Sequence, residues 1–284
     1  MADEMARAAW SQKLRRGFGI ATARLRILPD FIIIGAQRSG TTSLFKYLAA
    51  HPDLYPAAFK EVHFFDRFFD RGVGWYRSFF PLIVQRRYIT RGQKRAFITG
   101  EATPYYLFYP RAAERAAALL PHVKLIAILR NPINRAYSQY YHEVQRGLEA
   151  APFETALQRE RELLDAEQSA LQSNPTYYST MHQNHAYLAR GRYVEQLQVW
   201  QQYFPREQMM VLQSEAFYSD PAATVAKVVD FLGLPPFRLG EFRKYNEMQY
   251  AAMPAALRAA LQDYFQPYNR QLYAFLGVEW TWES

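Results

Sequence analysis

The segment Gly35-Ala36-Gln37-Arg38-Ser39-Gly40-Thr41-Thr42 carries the clearest chemical signal in the chain. A glycine-rich turn before a helix aims backbone N–H groups at an anion. The spacing copies a Walker A loop, yet Thr41 stands where that loop has its lysine, and the cation sits inside the turn as Arg38. A second signal lies further on. The apolar run Leu125-Ile126-Ala127-Ile128-Leu129 ends in Arg130, and Ser138 follows eight residues later. A guanidinium and a hydroxyl beyond a strand's carboxyl end make a second anion site. A nucleoside triphosphatase would place a magnesium-binding carboxylate there instead. Two anion sites without that carboxylate fit a nucleotide with phosphate groups at both ends.

The elements that must position these residues read as alternating strands and helices. Phe31 to Ile34 is a buried strand, because β-branched residues fill both of its faces. Further strands are expected at Ala96–Thr99, Lys124–Leu129 and Met209–Gln213. Helical patterns cover Thr42–Ala50, Tyr109–Leu120, Ile133–Arg146, Pro152–Gln172, Arg192–Tyr203, Pro221–Leu232 and Pro254–Leu276. This alternation predicts an α/β fold, a P-loop-like single domain with a central parallel sheet flanked by helices. Ligands in such folds bind beyond the carboxyl ends of the strands, where both anion signals lie. The expected organisation is an amphipathic extension over residues 1–29 and one domain over 30–284.

Composition limits the partners. The 284 residues are 50% hydrophobic and 16% aromatic, enough for a sizeable core. A net charge of +8 suits an anionic partner. With no cysteine, disulfides, thiolate metal sites and cysteine nucleophiles are excluded. The histidines show no metal-ligand spacing, so no metal is expected. No apolar run reaches the length of a spanning helix, and no signal-peptide core is visible, which predicts a cytoplasmic protein. The basic amphipathic stretch Lys13 to Arg26 reads as a surface helix that offers a peripheral contact to a membrane or partner.

Several motifs resemble those of PAPS-dependent sulfotransferases (PAPS being 3′-phosphoadenosine 5′-phosphosulfate). FIIIGAQRSGTTSL resembles their 5′-phosphosulfate loop, and LIAILRNPINRAYSQY their 3′-phosphate motif. KEVHFFD at Lys60–Asp66, GVGWYRSFFP at Gly72–Pro81 and GEATPYYLFYP at Gly100–Pro110 are similar to the heparan sulfate branch. The resemblance implies PAPS as co-substrate. Arg38, Ser39, Gly40, Thr41, Thr42 and Ser43 would hold its 5′ end, and Arg130, Ser138 and, in Arg243-Lys244-Tyr245-Asn246, Lys244 its 3′-phosphate. It also implies Glu61 as general base, with His63 in the same site. Two departures stand out. Arg38 replaces a common lysine and cannot donate a proton at neutral pH, so its catalytic role is electrostatic. Ala102 replaces a lysine frequent in the glycan branch.

Sulfuryl transfer needs both reactants in line, charge neutralised on the leaving phosphate, and a proton removed from the acceptor. Arg38 and the loop amides suit the second task. Glu61 suits the third, and the apolar stretch Val62–Phe65 is expected to raise its basicity. An extended segment would put Glu61 and His63 on one face. The acceptor is a small molecule or glycan. Trp75, Tyr76, Phe79 and Phe80 are expected beneath its cleft, Tyr105, Tyr106, Tyr177 and Tyr178 as stacking candidates, and Ala151–Asn184 as a lid. The competing reading is a P-loop small-molecule kinase, which Thr41 and Arg130 oppose. A non-catalytic polyanion-binding module would need neither Glu61 nor the ordered loop, and no nucleic-acid motif is present.

Overall fold

The computed structural model describes residues 17–174, 176–243, 245 and 250–282. Four parallel strands form the sheet: β1 (Phe31–Gly35), β2 (Gly100–Ala102), β3 (Lys124–Leu129) and β4 (Met209–Gln213), in the order β2-β1-β3-β4. β1 and β3 are central and almost wholly buried, which explains their unbroken apolar sequences. Around the sheet lie α1 (Thr41–Ala49), α2 (Gly72–Arg77), α3 (Ile83–Arg87), α4 (Ala112–Leu119), α5 (Pro132–Gln145) and α6 (Phe153–Ser173). The chain continues with α7 (Tyr193–Gln201), α8 (Ser214–Ser219), α9 (Pro221–Leu232) and α10 (Ala255–Leu276).

Two large apolar clusters pack on opposite faces of β1. Ile32 and Ile34 join the aromatic layer of Phe64, Phe65, Tyr76 and Phe80, while Phe31 and Ile33 face Leu44, Leu48 and Val228. Each such side chain contributes about 1.5–3 kcal/mol relative to exposure. Helix starts follow local chemistry. The Asn131 side chain accepts from the N–H groups of Ile133 and Asn134 at 3.0 and 3.2 Å, with Pro132 at the first helical position of α5. Asp220 caps α9 by accepting from Ala223 N–H at 2.9 Å.

The strand expected at Ala96–Thr99 lies elsewhere. Ile98 makes only a single bridge to Leu54, and the ladder with β1 starts at Gly100, opposite Phe31. Asp30 occupies the backbone of Thr99, donating its N–H to Thr99 O at 2.7 Å and accepting Thr99 N–H on Oδ2 at 2.9 Å. Gly100 then admits the Phe31 ring, which a Cβ would meet at 2.3 Å. The propensity signal marked extended chain, but this close approach set where pairing begins. Of the expected N-terminal helix, residues 17–21 are helical and Lys13 to Arg16 lie outside the described residues. No described helix is long and apolar enough to cross a membrane.

Candidate active site

A cleft of about 750 Å³ opens beyond the carboxyl ends of the strands. Arg38, Gly40, Thr41 and Thr42 line it from the β1–α1 turn, and Arg130 and Ser138 from beyond β3. Gly40 opens α1 at φ +105°, a left-handed conformation, and a Cβ there would come 3.0 Å from the Tyr218 hydroxyl. Arg38 also has positive φ, at 67°. Its Nε donates to Ser138 Oγ at 3.1 Å, and Arg130 Nη1 donates to the Arg38 carbonyl at 3.3 Å. Tyr193 fixes Arg130 in turn, its hydroxyl donating to the Arg130 carbonyl at 2.9 Å. The two anion motifs are therefore one structure. Burial, then the adjacent Arg130 charge, hold Arg38 below the ordinary arginine value. Ser39 and Ser43 are fully buried beneath the turn, and Ser43 Oγ accepts from Tyr245 N–H at 3.2 Å. Neither residue lines the cleft, and Ser39 N–H donates to the Ala36 carbonyl at 3.3 Å. Lys244 lies outside the described residues.

Glu61 and His63 line the same cleft, but not as neighbours on an extended strand. Both have positive φ, 64° and 55°, so a tight turn presents them together. The His63 ring sits between two carboxylates, with Nδ1 2.6 Å from Asp66 Oδ2 and Nε2 3.5 Å from Glu61 Oε2. Lys60 Nζ lies 2.5 Å from Glu61 Oε1. Burial alone would lower the His63 pKa, yet Asp66 and Glu61 push it up to about 10. The imidazole is therefore a cation at neutral pH. Burial alone would raise Glu61, but His63 and Lys60 hold it down to about 2. The expected rise in basicity is thus reversed, because two cations outweigh the apolar flanks. Glu61 is ionised throughout the physiological range and shares its negative charge between Lys60 and His63.

Three further residues escaped sequence reasoning. Asp66, at the end of the motif that holds Glu61, charges and orients His63; a carboxylate three residues from a histidine was the available signal. Glu101 on β2 is fully buried. Its carboxylate accepts from Tyr76 Oη at 2.6 Å, Thr103 Oγ1 at 2.7 Å and Tyr106 Oη at 3.2 Å. The hydroxyls of Tyr106 and Thr103 in turn hold the Glu61 turn. Tyr106 Oη accepts from Phe64 N–H at 2.8 Å and Phe65 N–H at 3.4 Å, and Thr103 Oγ1 from His63 N–H at 3.4 Å. Burial pushes Glu101 up to about 7, although the three hydroxyls oppose the rise. Arg190, also buried, reaches the cleft floor and stacks over Tyr105 and Phe108 at 4.8 and 5.3 Å. It donates to the Gln37 side chain and to the carbonyls of His182 and Gln183. Nothing in its local sequence marked it.

The aromatic residues divide by role. Tyr76 and Phe80 are fully buried, and Phe64 stacks on Tyr76 with centroids 4.4 Å apart, so this layer supports the Glu61 turn without lining the cleft. Tyr106 is a buried hydrogen-bonding residue rather than a stacking platform. Tyr105 lines the cleft and, with Tyr177 and Tyr178, a recess of about 80 Å³ beside Asp66 and Arg67. Of the segment expected as a lid, Gln183 and Asn184 reach the cleft. α6 instead packs Phe153, Ala156 and Leu157 on Ile133 and Tyr137 of α5.

Comparison with known proteins adds to this geometry. The family model described as a sulfotransferase domain matches residues 28–254. Membrane-associated sulfotransferase kil1 of Dictyostelium discoideum is 27% identical, over 92% of this chain and 68% of its own length. Heparan sulfate glucosamine 3-O-sulfotransferase 3A1 of Mus musculus is 30% identical, over 90% of this chain and 65% of its own length. The chain thus spans about two thirds of the length of these curated relatives. A solved sulfotransferase from Alicyclobacillus acidocaldarius is 30% identical with a TM-score of 0.66, covering 91% of this chain and 100% of that one. The kinase alternative is not favoured by these matches.

Proposed function

The chain belongs to the sulfotransferase domain family, and from that premise we propose that it moves a sulfuryl group from PAPS to an acceptor hydroxyl or amine of a glycan, glycolipid or natural product. The observation that carries this reading is convergence. One cleft holds a helix N-terminus with Arg38, the Arg130–Ser138 pair, and a carboxylate–imidazolium turn. Its volume of about 750 Å³ suits a nucleotide with part of an acceptor.

In this proposal the backbone N–H groups of Gly40, Thr41 and Thr42, with Arg38 and the Thr41 and Thr42 hydroxyls, take the 5′ end of the nucleotide. Arg130 and Ser138, joined by Lys244, take its 3′-phosphate. The nucleotide supplies the sulfuryl group. Arg38 and the loop amides neutralise charge growing on the leaving phosphate. Glu61 accepts the proton of the acceptor group. The His63 cation, fixed by Asp66, orients the Glu61 carboxylate and balances negative charge at the reacting end. Lys60 must release Glu61 before that carboxylate takes a proton, and the anionic groups of the reactants offer it a new partner. The catalytic unit is residues 30–284, with 1–29 as an extension. Location in the cytoplasm is part of the proposal, and cell fractionation tests it; one relative is membrane-associated by name.

The deciding experiment is calorimetric binding of adenosine 3′,5′-bisphosphate, with ATP and AMP as controls and no metal. Selective binding of the bisphosphate supports the donor site. Binding of ATP instead, or of nothing, overturns it.

A further inference from the structure

Residues 5–29 carry six basic side chains and no acidic one, and residues 71–99 carry seven and none. The fold brings the described parts of these two stretches together. Ile27 N–H donates to the Pro81 carbonyl at 3.0 Å, and Arg26 forms an antiparallel bridge with Leu82. Arg26 Nη1 donates to the Phe80 carbonyl at 2.5 Å, and Arg77 Nη1 returns a bond to the Arg26 carbonyl at 3.0 Å. The bridge is a single contact: residues 23–25 form a tight helical turn just before it, and α3 starts just after Leu82. α3 continues as a further helical turn over residues 88–92. Val84 and Tyr88 are four apart on it, as are Arg87 and Arg91, so each pair shares a face.

The seam is exposed in an unusual way. Leu25 is 62% exposed, Val84 67%, Tyr88 65% and Phe18 59%, and the Phe18 ring lies 5.7 Å from the Arg26 guanidinium. Arg24, Arg87, Arg91 and Lys94 are exposed and make no ion pair or side-chain hydrogen bond among the described residues. Nearby, Arg86 and Arg95 are already matched, to Asp30 at 2.9 Å and to Asp53 at 2.5 Å. What remains are four uncompensated cations and four large apolar side chains, all exposed, on the two segments that meet at Arg26 and Leu82. Cations alone would suit any polyanion. Large apolar groups among them suit a surface that is anionic outside and apolar just beneath.

We propose that this seam, built from residues 17–26 and 82–95, is a peripheral docking surface for an anionic phospholipid bilayer. Arg24, Arg87, Arg91 and Lys94 meet the headgroups, and Phe18, Leu25, Val84 and Tyr88 enter the headgroup–acyl boundary. The proposal does not depend on the nucleotide bound in the cleft, and none of these residues lines it.

The test is flotation of the full chain with phosphatidylcholine vesicles made with and without phosphatidylserine. A soluble polyanion, polyglutamate, is measured in parallel. Binding is expected to the phosphatidylserine vesicles alone. Arg87→Ala and Arg91→Ala should each lower it about fivefold, the equivalent of about 1 kcal/mol per basic side chain. Val84→Ser with Tyr88→Ser should also lower vesicle binding and leave any polyglutamate binding unchanged. Thermal unfolding and bisphosphate binding confirm that the variants are folded. Absence of vesicle binding overturns the proposal, as does equal binding to neutral vesicles. Vesicle binding that ignores the Val84 and Tyr88 changes also overturns it, in favour of a soluble polyanionic partner.

Discussion

Glu101→Gln separates the stability of this protein from its activity. Glu101 is buried, and its pKa of about 7 stands well above the ordinary carboxyl value of 4.5. A carboxyl whose folded pKa is raised binds its proton more tightly in the folded state. It therefore stabilises the fold most below the unfolded pKa, and loses that contribution as pH rises through 7. With these two values, moving from pH 8 to pH 5 adds about 2–3 kcal/mol of stability from this one group. Activity should move the other way. The ionised carboxylate accepts from Tyr76, Thr103 and Tyr106 at once, which turns hydroxyl lone pairs toward the amides of His63, Phe64 and Phe65. Protonation places a donor among these donors and loosens the turn that presents Glu61. At pH 6 only about one molecule in ten keeps the ionised form. Turnover should thus fall on acidification through 7 while unfolding becomes harder. Glu61, at about 2, and His63, at about 10, do not titrate in that window. In the isosteric Glu101→Gln variant turnover is low at every pH and the acid limb disappears. Its stability difference from the wild type shifts by about 2–3 kcal/mol between pH 8 and pH 5. Urea denaturation at both pH values, with turnover under saturating donor, measures both quantities. A stability difference independent of pH, or a variant that keeps the wild-type acid limb, refutes the reasoning.

Other perturbations bear on the proposed site. Arg130→Ala should weaken adenosine 3′,5′-bisphosphate binding by about 10- to 100-fold, as expected for a charged hydrogen bond worth about 1.5–3 kcal/mol; unchanged calorimetric affinity would reject the 3′-phosphate assignment. Glu61→Gln should lower kcat by about 10²–10⁴-fold and leave bisphosphate binding nearly intact, and a wild-type kcat would mean that another base acts. Asp66→Asn removes the nearer of the two carboxylates that raise His63, so the His63 titration followed by NMR should move down from about 10 toward the ordinary histidine range. A titration that stays in place would show that Glu61 alone sets it.

The sequence by itself determined the two central strands and the glycine-rich turn after β1, but not the edge strand β2, which begins at Gly100. β1 and β3 are buried on both faces, so their apolar runs had one reading, and the glycines and Arg38 follow directly in the chain. Local spacing also put Glu61 and His63 within one motif. It could not give their electrostatics. The pKa of Glu61 depends on Lys60 and a charged His63, and the charge on His63 depends on Asp66, whose geometry comes from a turn with two positive φ values. Burial of Glu101 was equally hidden, because its partners Tyr76 and Tyr106 come from different elements. The same holds for Arg190, whose contacts with Gln37 and Tyr105 span long stretches of chain. Local sequence encodes propensity and the residues within one turn, whereas the charge state of a group is a sum over all neighbours in space. That sum exists only once the tertiary structure has brought the neighbours together.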